Sequence, residues 1–172
     1  GGTLPMLHSG YRVGKGDTII LESCEYCNSF LHFFPTVAVV LNVEADHLDF
    51  FKDLGDIKHS FRRFAQLVPP EGHIVVNADD LNAMDALKGL PLVTFGLGEN
   101  AVCRAANLTW DHGRPDFDVV ADGQVFTHLS LRVAGLHNVY NALAAAAVAY
   151  VLGVPSWAVR QGLEGFFGAG RR

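Results

Sequence analysis

The chain has 172 residues, 49% of them hydrophobic, and a net charge of −5 from 13 basic and 18 acidic residues. This length and hydrophobic content are typical of one globular domain, either complete or cut from a longer protein. The acidic balance argues against nucleic acid as the main partner. No apolar run approaches the ~20 residues that cross a bilayer, so we expect no membrane partner.

The chain contains three cysteines, Cys24, Cys27 and Cys103. Their odd number and the lack of a basic-then-apolar leader predict reduced thiols and a cytoplasmic protein. Cys24 and Cys27 form a C-x-x-C pair, but a structural zinc site needs a second pair of ligands, and Cys103 alone does not provide it. The chain begins Gly-Gly-Thr without Met and ends Gly-Ala-Gly-Arg-Arg, so we expect a piece of a longer protein.

The first third of the chain predicts two strands. Residues 18–21 (Thr-Ile-Ile-Leu) and the apolar run 36–43 both have the β-branched composition of buried strands. Residues 10–16 resemble a phosphate-binding loop, but three residues separate Gly10 from Gly14 where four are required. Gly16 also stands where Ser or Thr would bind magnesium, and no G-x-x-x-x-G-K-[ST] motif occurs in the 172 residues.

The middle of the chain alternates helix and strand. We predict a helix from Asp56 as its cap to about Val68, a strand over 73–76, a short helix over 81–87 and a strand over 92–95. Strands joined by helices at this spacing indicate a parallel sheet with right-handed crossovers.

The last third changes character. Residues 102–133 alternate polar and apolar side chains, with turns expected at 112–115 and at Asp122-Gly123, which predicts a small antiparallel meander. An Ala-rich helix to about Leu152 is apolar on nearly all sides and should be deeply packed. Pro155 should occupy the first position of a last helix that runs to about Phe167. The expected fold is α/β: a mostly parallel, Rossmann-like sheet flanked by helices, with a small antiparallel β-meander.

Polar side chains crowd the end of the strand over 36–43. Glu22 and His47 each follow a predicted strand, so both can reach the carboxyl edge of one sheet, where α/β proteins bind ligands. A carboxylate and an imidazole suit Mg²⁺ or Mn²⁺ with a phosphate ligand. Alternatively, Asp46 and His47 only cap the next helix. Asp49 could orient His47 or cap the following segment.

Two further pairs of side chains could bind a nucleotide. Asn138 and Asn141 lie three residues apart at a helix start, so their amides share a face and can pair with a purine edge; capping by Asn138 is the alternative. Arg171 and Arg172 can meet phosphate, although terminal basic residues are often only solvated. Ser29 and His32 are unremarkable by spacing.

Taken together, several separated stretches strongly resemble the Mur ligases. The matching text is residues 22–32 (E-S-C-E-Y-C-N-S-F-L-H), residues 35–51, the G-x-H-N-x-x-N run over 135–141, and residues 167–172 (F-G-A-G-R-R). The match covers nearly the whole chain in the family's order. The resemblance implies that residues 1–172 are part of the central ATP-binding domain, without the N-terminal UDP-binding and C-terminal amino-acid-binding domains.

The resemblance also implies the chemistry. It is greatest to members that join L-alanine to UDP-N-acetylmuramate in peptidoglycan precursor synthesis: ATP phosphorylates the muramoyl carboxylate, and the alanine amine then displaces phosphate. It assigns magnesium binding and catalysis to Glu22 and His47. The expected nucleotide residues are His137, Asn138, Asn141 and Arg171, and the expected substrate residues are Ser29, His32 and Asn42.

One departure from the family is large. Its phosphate loop, G-T-x-G-K-T/S, should precede Gly1 and is not in this sequence. Without that loop the triphosphate loses an amide cradle, a lysine and a magnesium-binding hydroxyl. We therefore expect this polypeptide alone to show no ligase turnover and to bind ATP weakly. The missing first strand and helix should leave apolar sheet surface uncovered, which favours self-association.

Three other functions fit parts of the sequence. A ligase of the same family that recycles murein tripeptide would carry the same motifs and accept a peptide in place of alanine. A metal-dependent hydrolase could use Glu22, Asp46, His47 and Asp49. A non-catalytic nucleotide-binding module would fit a natural protein that lacks the phosphate loop.

Overall fold

The structure, a computed structural model, describes residues 2–4 and 7–170. Within these residues, strands and helices alternate along the first half and a meander precedes two final helices. The elements are a 3₁₀ segment (Tyr26–His32), β1 (Val37–Val40), α1 (Leu54–Ala65), β2 (His73–Asn77), α2 (Leu81–Ala86), β3 (Leu92–Gly96), β4 (Cys103–Asp111), β5 (Arg114–Ala121), β6 (Gln124–Ser130), α3 (Leu136–Val151) and α4 (Ser156–Glu164).

All of the strands belong to one sheet, in the order β1-β2-β3-β4-β5-β6. Strands β1 to β4 run parallel to one another, β5 is antiparallel to β4, and β6 is antiparallel to β5. The predicted α/β class, mostly parallel with an antiparallel meander, is therefore confirmed. Asp122 (φ 46°) and Gly123 (φ 78°) form the hairpin turn, because a two-residue turn of this kind needs positive φ at both positions.

The two faces of the sheet bury separate cores. Val75 of β2 packs into a cluster with Phe95 and Leu143, beneath α3. Its neighbours Ile74 and Val76 point the other way, into a cluster that includes Ile57 of α1 and residues of α2. This alternation is the pleat of a strand buried on both faces. Helix α3 buries residues on most of its sides, as its Ala-rich sequence predicts.

The strand predicted over 18–21 does not form, and that prediction is wrong. These residues have no regular structure, and Ile19 and Ile20 are 82% and 93% exposed. A strand needs a neighbour for its backbone hydrogen bonds. Strand β1 lies at the sheet edge, paired with β2 alone among the described residues, and its other side is open. Apolar β-branched composition by itself is therefore insufficient here.

Three element boundaries also differ from expectation. Strand β1 spans Val37–Val40, half of the predicted run 36–43. Helix α1 is capped by Asp53, whose carboxylate accepts from the Asp56 amide, so Asp56 lies in the first turn. Pro155 is the N-cap of α4 and not its first residue, because its ψ of 142° is extended, and α4 ends at Glu164. No helix of the described residues is long and apolar enough to cross a membrane.

Candidate nucleotide and metal site

The loop after β1 holds His47 in an unusual backbone conformation. His47 has φ 53°, in the left-handed region that few non-glycine residues adopt. The Asp46 carboxylate accepts from the His47 amide at 2.7 Å, and the amides of Phe50 and Phe51 both donate to the His47 carbonyl at 2.9 Å. Phe51 is 2% exposed and anchors this turn in the core. Backbone strain of this kind is sustained only where the surrounding contacts enforce it.

The imidazole of His47 lies between a carboxylate and an aromatic ring. Its Nε2 atom is 3.6 Å from Glu25 Oε1, and its ring centroid is 4.8 Å from that of Tyr26. The Tyr26 hydroxyl donates to Asp49 Oδ2 at 3.1 Å, and this hydrogen bond to a carboxylate is the main cause that raises the pKa of Tyr26. Asp49 therefore holds the Tyr26 ring, which packs against the His47 ring at a tilt of 38°.

A kink in the 3₁₀ segment sets the position of Tyr26. Cys27 and Asn28 both have left-handed φ values, 53° and 57°. The Asn28 side-chain oxygen accepts from the hydroxyl of Ser60, which is buried on α1. This contact ties the segment to the helix beside it. Cys24 and Cys27 are exposed, whereas Cys103 is buried, and its burial raises its thiol pKa to about 12.

The residues present fit magnesium only in part. Glu22 is exposed in the irregular stretch before the 3₁₀ segment, and His47 is half-buried. Over residues 2–4 and 7–170, no three His, Cys, Asp or Glu side chains are arranged to hold a metal ion. Mg²⁺ in phosphate-binding sites commonly takes one or two protein ligands and completes its shell with water and phosphate oxygens. Glu22 and His47 match that small donor set, and they do not match a closed metal cage.

Of the three expected substrate residues, Ser29 and His32 lie in the 3₁₀ segment and Asn42 lies in the loop after β1. Asn42 is exposed and donates to Glu44 at 3.2 Å. Ser29 donates to the Tyr26 carbonyl at 2.7 Å. His32 is exposed at the end of the 3₁₀ segment. Ser29 thus holds the turn that carries Tyr26, while Asn42 and His32 present polar groups to solvent.

The second group of expected residues is at the start of α3. Its N-cap Gly135 has φ 96°, and a Cβ there would lie 2.8 Å from the His137 ring, so glycine is required. Asn138 donates to the Ala134 carbonyl at 2.7 Å, and Asn141 reaches Asn138 at 3.5 Å. The amides share a face as predicted, and neither caps the helix, because the N-cap residue is Gly135. The two amides thus lie together beside the exposed His137 ring, whose Nε2 is 3.1 Å from the Asn138 Nδ2 atom.

Some residues singled out in the sequence lie outside the described ranges or in irregular backbone. Arg171 and Arg172 are outside the described ranges. Residues 10–16 are exposed and form no helix start, which agrees with their being no phosphate loop. A phosphate loop works by aiming backbone amides from a helix N-terminus.

Sequence reasoning missed the residues that connect the two groups. The turn after β2 carries Asp79 and Asp80. Asp80 Oδ1 accepts from Ala83 N at 2.7 Å and faces Val43 N at 3.4 Å. Asp79 Oδ2 accepts from Leu97 N at 2.6 Å and from the Tyr140 hydroxyl at 3.2 Å. One turn thus contacts both the loop before His47 and the helix of Asn138. Because these contacts join residues far apart in the chain, no local sequence pattern predicts them.

The comparisons with known proteins decide the family. The Mur ligase middle domain family matches residues 7–149. The chain belongs to this family. UDP-N-acetylmuramate–L-alanine ligase of Caldanaerobacter subterraneus is 43% identical over 175 residues, which cover 100% of this chain and 38% of that protein. The same ligase of Clostridium novyi is 42% identical with the same coverage. The chain therefore spans a little over a third of the length of these relatives.

Solved structures agree on the fold. The UDP-N-acetylmuramate-alanine ligase of Thermotoga maritima matches with a TM-score of 0.70 and 27% identity, over 84% of this chain and 32% of that one. The UDP-N-acetylmuramate:L-alanyl-γ-D-glutamyl-meso-diaminopimelate ligase of Neisseria meningitides also gives 0.70, with 35% identity over 83% of this chain and 44% of that one. Both structures belong to Mur ligases.

Proposed function

We propose that this chain is the ATP-handling part of a ligase that joins L-alanine to UDP-N-acetylmuramate. The observation that carries the proposal is the match along 100% of the chain, at 43% and 42% identity, to proteins of that name. Glu22 and the loop after β1 supply residues suited to a metal–phosphate, and the start of α3 supplies residues suited to a purine. Cytoplasmic localisation is part of the same proposal.

The reaction has two chemical steps. A muramoyl carboxylate oxygen takes the γ-phosphoryl of ATP, which releases ADP and leaves an acyl phosphate. The amine of L-alanine then attacks the acyl carbon, loses a proton and expels inorganic phosphate as the amide forms. Most of the protein's task in phosphoryl transfer is positioning and charge stabilisation. Mg²⁺ supplies neutralisation of phosphate charge when bound.

The residues of this chain divide that task. Glu22 and His47 would hold the magnesium, with Glu25 and Tyr26 fixing the imidazole. His137, Asn138, Asn141 and Arg171 would face the nucleotide. Ser29, His32 and Asn42 would contact the UDP-sugar or the incoming amino acid. UDP-N-acetylmuramate and L-alanine remain partners of the longer enzyme, because the chain corresponds to 38% of its relatives' length.

A titration of the 172-residue chain with ADP and Mg²⁺, followed by ¹⁵N NMR, tests the nucleotide half of this proposal. We expect weak binding, with shifts concentrated at the side-chain amides of Asn138 and Asn141 and in the loop of His47. We also expect no alanine-dependent phosphate release from this chain alone, because it has no phosphate loop. Shifts that avoid both groups, or ligase turnover by the chain, would contradict the proposal.

A peptide-accepting ligase is the second candidate. The structural match at 35% identity is to a protein named for an L-alanyl-γ-D-glutamyl-meso-diaminopimelate substrate, and this observation favours that alternative. The two candidates share the ATP chemistry and differ in the acceptor. An assay of the longer enzyme with L-alanine and with the tripeptide in parallel separates the two candidates. The acceptor that drives phosphate release identifies the function.

We also propose that the isolated chain self-associates through the open side of β1. Val39 and Leu41 are 40% and 42% exposed, although their run is apolar. The alternate positions Ala38 and Val40 are buried against α1 and its neighbours. One face of β1 is therefore uncovered, and its unpaired edge carries no charged residue to oppose pairing with another copy.

A further inference from the structure

The turn that follows β2 connects three parts of the fold through two adjacent carboxylates. Asn77, which is 8% exposed, accepts from the Asp79 amide at 3.0 Å and so shapes the turn. Asp80 contacts the amide of Val43 and caps α2. Asp79 contacts the end of β3 and the hydroxyl of Tyr140 on α3. The two side chains thus serve different neighbours.

The position of Asp79 is built into the end of β3. A Cβ on Gly96 would lie 2.7 Å from Asp79 Oδ2, so the carboxylate occupies space that any other residue at position 96 would fill. The Leu97 amide donates to the same oxygen at 2.6 Å. Short charge-assisted hydrogen bonds to backbone amides are among the stronger polar contacts in proteins. Asp79 is therefore a fixed acceptor for any group that reaches it.

Tyr140 is the group that reaches it. Its hydroxyl donates to Asp79 Oδ2 at 3.2 Å across 61 residues of sequence. Burial, followed by the Asp79 charge, raises the pKa of Tyr140, so the phenol stays protonated and donates at neutral pH. Tyr140 lies two residues after Asn138 and one before Asn141. Its contact therefore fixes the turn of α3 that carries both amides against the end of β3.

We propose that Asp79 and Tyr140 are positioning residues for the base of the bound adenine nucleotide, acting by holding the Asn138–Asn141 turn of α3. This inference rests on the proposed function and deepens it. Neither residue needs to touch the nucleotide. Adenine recognition by two amides depends on their placement relative to the phosphate-binding edge, and displacement by an ångström is costly.

The same helix contains a matched contact that lacks this role. Near the other end of α3, the Tyr150 hydroxyl donates to Asp122 Oδ2 at 2.7 Å. It joins the helix to the β5–β6 turn. Tyr150→Phe therefore removes a hydrogen bond of the same chemistry from the same helix, away from the two asparagines, and serves as the control for Tyr140→Phe.

The experiment compares ADP with inorganic tripolyphosphate, a probe without a base, in ¹⁵N NMR titrations of the whole chain. For Tyr140→Phe we expect ADP affinity to fall about three- to tenfold, with tripolyphosphate affinity unchanged and the side-chain amides of Asn138 and Asn141 shifted before any ligand is added. Asp79→Ala should behave in the same way. Asp79→Asn keeps a carbonyl acceptor for both donors and should recover most of the affinity. Tyr150→Phe should match the parent chain.

Each outcome of these titrations either supports or overturns the positioning role of Asp79 and Tyr140. Equal ADP affinity in Tyr140→Phe and Tyr150→Phe overturns the positioning role, as does an equal loss for ADP and tripolyphosphate, which would indicate general destabilisation. If the parent chain itself gives no response to ADP, the proposed nucleotide site is overturned. The amide shifts of ligand-free Tyr140→Phe then still report whether the Asp79 contact places the two asparagines, and unshifted amides overturn that point separately.

Discussion

His47 and Glu25 face each other at the candidate metal site, with the imidazole Nε2 3.6 Å from the Glu25 Oε1 atom. Glu22, three residues earlier, is the carboxylate that the family resemblance assigns to magnesium. The structure thus places beside His47 a carboxylate to which the resemblance assigns no role. Its effect on metal binding can be separated from that of Glu22.

Glu25→Gln and Glu22→Gln should each weaken Mn²⁺ binding, used as a paramagnetic substitute for Mg²⁺. We expect roughly a tenfold loss for Glu25→Gln, because partners that orient a metal ligand typically contribute 10- to 100-fold in affinity. The measurement is Mn²⁺-induced broadening of the NMR signals of residues 22–30 and 44–50. Asp111→Asn, at the exposed end of β4, is the control. Broadening that is indifferent to both glutamates would remove the metal site from this loop.

The meander predicts a specific pH dependence. His128 Nδ1 donates to Asp118 Oδ1 at 2.8 Å, and His128 Nε2 lies 3.4 Å from Asp116 Oδ2. The hydrogen bond to Asp118 is the largest cause that raises the pKa of His128. Because the folded-state pKa is above the unfolded value of ~6.5, the charged imidazole stabilises the fold at lower pH, and that stabilisation disappears as pH rises through the raised pKa.

Asp118 sets the lower limit of the pH range in which the His128–Asp118 contact stabilises the fold. Its pKa is lowered, first by the hydrogen bond from Asn107 and then by His128, so its contribution is present above its unfolded value and is lost as pH falls through the lowered pKa. His128→Gln should therefore lower Tm by roughly 1–3 °C near pH 5–6 and by less above pH 8, as expected for a solvent-exposed pair. A Tm difference that grows with pH would refute this sign. His59→Gln, at an exposed position of α1, provides the control.

Gly135 should tolerate no side chain. Its φ of 96° means that Gly135→Ala carries backbone strain, and the exposed His137 ring, 2.8 Å from an added Cβ, has to turn aside. We expect a loss of about 1–3 kcal/mol in the free energy of unfolding. Gly162→Ala, inside α4 with nothing within 4 Å of the added Cβ, should be neutral or gain up to about 1 kcal/mol. Urea denaturation of both variants gives the comparison, and equal effects would contradict it.

The uncovered side of β1 predicts association that one charge can prevent. Val39→Lys places a charge on the open edge strand, where lysine commonly blocks strand pairing. We expect the parent chain to sediment as a concentration-dependent mixture and Val39→Lys to sediment as a monomer. Val125→Lys, on a 65% exposed valine at the opposite edge of the sheet, should leave association unchanged. A parent chain that is monomeric at all concentrations rules the proposal out.

The parts of the fold that sequence predicts well are those with local causes. Strands β2 and β3 are β-branched runs between turn residues, and Asp122-Gly123 encodes its own hairpin. The 18–21 segment has the same composition as these strands and remains irregular, because pairing depends on a neighbour that composition does not supply. Asp56 is the expected cap of helix α1. The cap is Asp53, whose side chain accepts from the Asp56 amide, so the helix starts at Leu54.

In the candidate site, too, some residues have a signal in the sequence and others do not. Glu22, His47, Asn138 and Asn141 are identifiable because family motifs carry them. Glu25 lies beside His47, and Asp79 meets Tyr140, through contacts between segments that are distant in the chain. Such contacts arise from tertiary structure, so spacing along the chain gives no signal for them.

The most direct test of the central claim replaces the matching segment of the Caldanaerobacter ligase with residues 1–172 and measures phosphate release that depends on L-alanine and UDP-N-acetylmuramate. We predict turnover by the chimera, an at least about 100-fold loss in His47→Ala because a metal ligand is removed, and little change in the control variant Tyr150→Phe. A well-folded chimera that binds ADP yet releases no phosphate, or one that works equally well without His47, would contradict the account.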